Sequence, residues 1–122
     1  MSDIIDMLES VLSDLKKTGG IDSSVIASRD GLLIASSSPS FCERAETFAA
    51  MSATMLGAAE TATTELGKGA PRRVIVESEK GKLIALGAGP KALLIVLTRP
   101  EASLGLILVE MEKAAEKIEE IL

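Results

Sequence analysis

Cys42 is the one thiol in the chain, and no histidine accompanies it. Zinc sets need several Cys or His ligands, and Cys/His dyads and hydroxyl triads need a histidine. Those chemistries are therefore excluded. A lone cysteine in a reducing compartment reads as an inert thiol, with an intermolecular disulfide as the other possibility. Two glycine-rich stretches, Gly67-Lys68-Gly69 and Gly87-Ala88-Gly89-Pro90-Lys91, invite comparison with loops that cradle phosphate. That motif is Gly-x-x-x-x-Gly-Lys-Ser/Thr, and Ala62 and Gly69 hold its first and last positions around Gly67-Lys68. Both stretches read as turns. Carboxylates are plentiful, but nothing places two of them in one cleft. Glu77, Glu79 and the acids near the chain ends read as surface charge, with no general-acid or metal role. Guanidinium groups are the remaining polar candidates. Arg44, Arg72 and Arg73 could reach a nucleotide phosphate on a bound partner through bidentate contacts, or could simply be the solvated starts of a helix and a strand. Met51 and Met55 repack readily, which suits either an adaptable partner surface or filler in a core or homodimer. These residue types leave binding rather than catalysis, with no cofactor and no metal expected.

The elements that must position these residues follow from length and pattern. A chain of 122 residues with 47% hydrophobic and 25% charged residues is sized for one domain over residues 1–122 and is not disordered. The formal charge of −5 disfavours nucleic acid, whose affinity rests on clustered Lys and Arg. Its longest uncharged run, Thr47 to Ala59, is short of the roughly 20 residues of a membrane span, and no basic-then-apolar leader opens the sequence. A cytoplasmic protein is the expectation. The lack of Asn and Gln beside abundant Glu and Lys is one thermophile tendency.

From Asp3 to Lys17, the residues Ile4, Ile5, Leu8, Val11, Leu12 and Leu15 mark one face of a helix, with Ser2 as a cap and Gly19 as a stop. Val25–Ser28 and Leu32–Ser36 flank Arg29-Asp30-Gly31, whose Asp-Gly pair suits the positive φ angles of a tight hairpin. Ser37-Ser38-Pro39-Ser40 breaks the pattern. A long helix then runs from about Phe41 to Leu66, and between Phe48 and Ala59 only Ser52 and Thr54 are polar. A helix apolar all round should be buried all round. One sheet in a domain this small covers one side, so the other side calls for a partner, most simply the same helix of another copy.

Three strands follow, at Arg72–Glu77, Lys82–Leu86 and Ala92–Thr98, and the unbroken run Leu93–Leu97 marks a central strand covered on both faces. A last helix spans about Ser103 to Leu122, with Leu104, Leu108, Met111, Ala115, Ile118 and Leu122 on one stripe. The order is α-β-β-α-β-β-β-α. The excess acid lies in the end helices: residues 1–17 hold two Lys against four acids, and residues 104–122 two Lys against five.

This order and two passages resemble the Roadblock family of small dimeric domains. That family is related to dynein light chains, to bacterial and archaeal regulators of Ras-like GTPases, and to endosomal scaffold subunits. Val25-Ile-Ala-Ser-Arg-Asp-Gly-Leu-Leu-Ile-Ala-Ser-Ser37 is similar to the family's first hairpin. Leu94-Ile-Val-Leu-Thr-Arg-Pro-Glu-Ala-Ser-Leu-Gly-Leu106, running into Glu110–Ile118, is similar to its last strand and closing helix. Ser103 stands where many members have Asn, which keeps a capping residue.

The resemblance covers essentially the whole chain. It implies an α+β, profilin- or longin-like fold: a five-stranded antiparallel sheet with the long helix on one face and both end helices on the other. It also implies a homodimer in which the third strands pair edge to edge and the long helices pack together. Phe48, Met51, Met55 and Ala58 on the helix, with Val74 and Val76 on the strand, are then the interface. The implied function is a non-enzymatic platform that binds and regulates a Ras-like small GTPase, with Arg44, Arg72 and Arg73 as possible partner contacts. One rival is a scaffold or motor-associated subunit that binds another Roadblock chain or a peptide. A second is a PAS- or profilin-like sensor of a small ligand, which the scarcity of aromatic residues counts against.

Overall fold

The computed structural model describes residues 2–37 and 42–122. The Ser38-Pro39-Ser40 break, the helix start at Phe41, the Ser2 cap and the Cys42 thiol fall outside the described residues and side chains.

The elements run α1 (Ser2–Lys16), β1 (Ile21–Ser28), β2 (Leu33–Ser36), α2 (Cys42–Glu65), β3 (Arg73–Ser78), β4 (Gly81–Ala88), β5 (Ala92–Thr98) and α3 (Leu104–Ile121). The five strands form one antiparallel sheet in the order β2-β1-β5-β4-β3. This is the α+β architecture expected from the sequence. Side-chain alternation divides the core in two. Leu94 and Val96 of β5 join Leu8, Leu12, Met111 and Ile118 under α1 and α3. Leu93 and Ile95 join Ala45, Ala49 and Leu56 under α2. The unbroken apolar run of β5 thus serves a core on each face, as a central strand must. Among the described residues no helix is long and apolar enough to cross a membrane.

Several boundaries differ from the expectations. In α1 the stripe is buried only from Leu8 onward, while Ile4 and Ile5 in the first turn are exposed. β1 begins at Ile21 rather than Val25, and β4 runs through Gly87 to Ala88. In both cases β5 supplies the missing pairs: Ser23 lies opposite Leu97, and Gly87 opposite Leu93. Tertiary pairing extends segments that local preference leaves undecided. In the first hairpin Gly31 alone has a positive φ, +89°. The turn is closed by Gly31 N–H donating to the Ser28 carbonyl, with a register shift at Ile26/Ala27. A turn closed in this way, followed by a left-handed glycine, does not need a positive φ at Asp30. The stripe of α3 also includes Ile107 and Ala114, both buried. Ser103 occupies the N-cap in an extended conformation, but its side chain makes no capping hydrogen bond.

Candidate interaction surface

Helix α2 carries three lines of residues with different surroundings. Ala45, Ala49, Ser52 and Leu56 are buried against the sheet. The small side chains of Ala45, Ala49 and Ser52 let the helix sit close over Ala27 and Ala85, which are fully buried. One residue later in each turn, about 100° around the helix, Ala50 and Ala53 lie against the first hairpin. A Cβ built on Gly31 would come 3.1 Å from the Ala50 Cα and 3.4 Å from the Ala53 Cβ. Further along this flank Glu60 pairs with Arg29, Oε2 to Nη1, at 3.3 Å.

The remaining line lies about 100° to the other side and consists of Phe48, Met51, Met55 and Ala58. With the first flank against the β1–β2 turn, this one faces the half of the sheet formed by β4 and β3. Phe48 and Met55 are half-buried at the margin of the α2 core beside Val74 and Leu83, whereas Met51 is 64% exposed and Ala58 is exposed. Spacings of three and four residues make this the pattern of a helix-packing seam. A helix apolar on all sides is thus covered on its sheet side and left open along this seam.

The strand residues continue that surface. Val74 and Val76 of β3 point to the α2 face of the sheet, and Val76 is 37% exposed. Val76 lies opposite Leu83, and Leu83 opposite Leu97, a row of apolar side chains that α2 only partly covers. Among the described residues β3 is the last strand of the sheet and pairs only with β4. Its outer backbone groups therefore form an open edge, a template for another strand.

The three arginines have separate fates. Arg44 is exposed near the start of α2, and Arg72 is exposed just before β3. Arg73 lies on the other face of the sheet, where its Nη2 donates to Glu112 Oε1 of α3 at 2.8 Å. Of the two neighbouring arginines, Arg73 joins β3 to α3, whereas Arg72 makes no ion pair among the described residues. Arg72 borders an open groove of about 530 Å³ with Arg29, Pro71, Gly89, Glu112 and Glu116. Gly67, Gly69 and Gly89 all have positive φ, as turn glycines do.

Sequence reading gave Arg29 no role beyond its place in a turn. Its guanidinium also donates from Nη2 to the Gly89 carbonyl at 2.7 Å, so one side chain ties together the first hairpin, α2 and the β4–β5 turn. No local signal marks such a contact, because Gly89 lies 60 positions away.

Comparison with known proteins agrees with this architecture. The Roadblock/LC7 domain family model matches residues 7–98. The chain belongs to the Roadblock/LC7 family. An uncharacterized protein of Methanocaldococcus jannaschii is 42% identical over 112 residues, covering 92% of this chain and 96% of the relative. Among solved structures, Myxococcus xanthus MglB superposes with a TM-score of 0.87 at 20% identity, over 96% of this chain and 88% of that one. A Roadblock/LC7 domain from Streptomyces avermitilis gives 0.85 at 25% identity, over 92% and 94%.

Proposed function

We propose that this Roadblock/LC7 chain is a non-catalytic homodimeric platform that binds a Ras-like small GTPase and regulates its nucleotide cycle or its location. The observation that carries the reading is the open seam of α2, with Met51 exposed at its centre, beside the unpaired edge of β3. Exposed apolar surface next to an open strand edge calls for a protein partner. A two-fold arrangement satisfies both features at once, since edge pairing of β3 brings the two α2 seams onto the same face of one continuous sheet. Phe48, Met51, Met55, Ala58, Val74 and Val76 form the contact between copies.

Family membership supports the class of partner, because the Roadblock resemblance includes regulators of Ras-like GTPases. In this reading the platform acts by positioning the GTPase's own switch loops. Arg44 and Arg72, both exposed, are free to contact it, whereas Arg73 is engaged by Glu112. The test is capture on immobilised protein, in parallel with a non-hydrolysable GTP analogue and with GDP. Enrichment of a small GTPase under one nucleotide supports the reading. Nucleotide-independent capture of another Roadblock chain or a motor component favours the scaffold alternative, in which the same open edge of β3 receives a different chain.

A further inference from the structure

We propose that the homodimer is fixed in a single register, with β3 paired antiparallel to β3 of a second copy about a two-fold axis at Ile75, so that Arg73 of each copy faces Glu77 of the other. This rests on the homodimer reading above and specifies how it is encoded.

Symmetry restricts the choices. Two antiparallel strands side by side in one sheet are related by a two-fold axis perpendicular to the sheet, which maps each face onto itself. Directly opposed residues share a face, so each residue must oppose one of the same parity. The axis therefore falls on a residue and never between two. Val74 belongs to the α2 face, while Ile75 packs on the α1–α3 core and Arg73 reaches Glu112 of α3.

The axis then has three candidate positions near the middle of β3. Centred on Val74, it sets Arg73 against Ile75 and Arg72 against Val76. Centred on Val76, it sets Ile75 against Glu77 and Val74 against Ser78. Centred on Ile75, it sets Val74 against Val76 on the α2 face, and Ile75 against Ile75 and Arg73 against Glu77 on the other. Only the last matches apolar with apolar and positive with negative throughout. The segment Arg73-Val74-Ile75-Val76-Glu77 is self-complementary when read against its own reverse.

Two unmet groups in the isolated chain agree with this register. Among the described residues the buried Arg73 Nε has no hydrogen-bond acceptor, although Nη2 is held by Glu112. A guanidinium has five N–H donors, so it can serve Glu112 and a second carboxylate together. Glu77 is exposed and makes no ion pair among the described residues. Glu77 of the second copy gives the Arg73 guanidinium a second carboxylate beside Glu112, and the two-fold makes the contact twice. The register therefore favours self-pairing over pairing with a chain that lacks the same alternation of charge.

The test is charge exchange followed by mass measurement over a dilution series. Arg73→Glu and Glu77→Arg each place two like-charge pairs in the self-dimer, and each should raise its dissociation constant roughly tenfold or more. Mixed in equal amounts, the two variants restore opposite charges at both contacts, so a heterodimer of wild-type affinity should form and be counted by native mass spectrometry. Absence of rescue, or unchanged self-association of both variants, overturns the register while leaving the dimer standing. A monomeric wild type overturns the homodimer reading beneath it. Because Arg73→Glu also loses Glu112, cross-linking provides a second readout in a Cys42→Ser background. Val74→Cys and Val76→Cys chains should form a disulfide with each other. Self-cross-linking of Val76→Cys alone would instead indicate an axis at Val76 and overturn the proposal.

Discussion

Arg29 and Glu60 meet at 3.3 Å across the gap between the first hairpin and α2, and the same guanidinium donates to the Gly89 carbonyl at 2.7 Å. The pair is about one-third exposed, so its Coulomb part is screened by solvent. The charge-assisted bond to Gly89 and the packing of the guanidinium on Gly87, where a Cβ would lie 2.8 Å from Nη2, are the larger contributions. Arg29→Ala should therefore lower stability by about 1–2 kcal/mol, and Glu60→Gln by well under 1 kcal/mol. Urea unfolding of the two variants checks the ranking, and equal losses would contradict it.

Met51→Glu and Met55→Glu test the seam of α2. A charge at either position is unfavourable in a desolvated helix contact, but Met51 is solvated in the single chain. Met51→Glu should thus halve the mass seen by light scattering while leaving the circular dichroism spectrum unchanged. Met55→Glu should do the same at some cost in stability, because Met55 also touches the α2 core. A wild-type protein already monomeric would sink this picture.

Arg72 and Arg73 should separate cleanly. Arg72→Ala removes an exposed side chain and should change stability by no more than about 0.5 kcal/mol. Arg73→Ala removes the 2.8 Å contact to Glu112 and should cost about 1 kcal/mol. If either arginine contributes to GTPase capture, loss of capture without loss of stability points to Arg72.

Gly31→Ala should destabilise the protein by about 1–2 kcal/mol. Its φ of +89° is one that L side chains rarely adopt, and the new Cβ would press on the Ala50 Cα at 3.1 Å. Ile95→Ala, in the central strand and fully buried, should cost about 2–5 kcal/mol through the cavity it leaves. Thermal unfolding midpoints check both. Neither substitution touches the seam, so both variants should remain dimeric while folded.

The sequence by itself determined the order of elements, the burial of β5 on both faces and the excess of apolar surface on α2. Period and composition encode these directly, because a residue's partners along its own element are set by helix or strand geometry. Tertiary structure alone decided which flank of α2 stays open. The hairpin at Gly31 and the Arg29–Glu60 pair occupy one side, and nothing within α2 itself specifies which side that is. Tertiary structure also separated Arg72 from Arg73, because Glu112, 39 positions away, forms its ion pair with Arg73. It lengthened β1 and β4 as well, through pairing with β5. These features depend on contacts between residues far apart in the chain. Local periodicity records which face of an element is apolar, but not which neighbour covers that face.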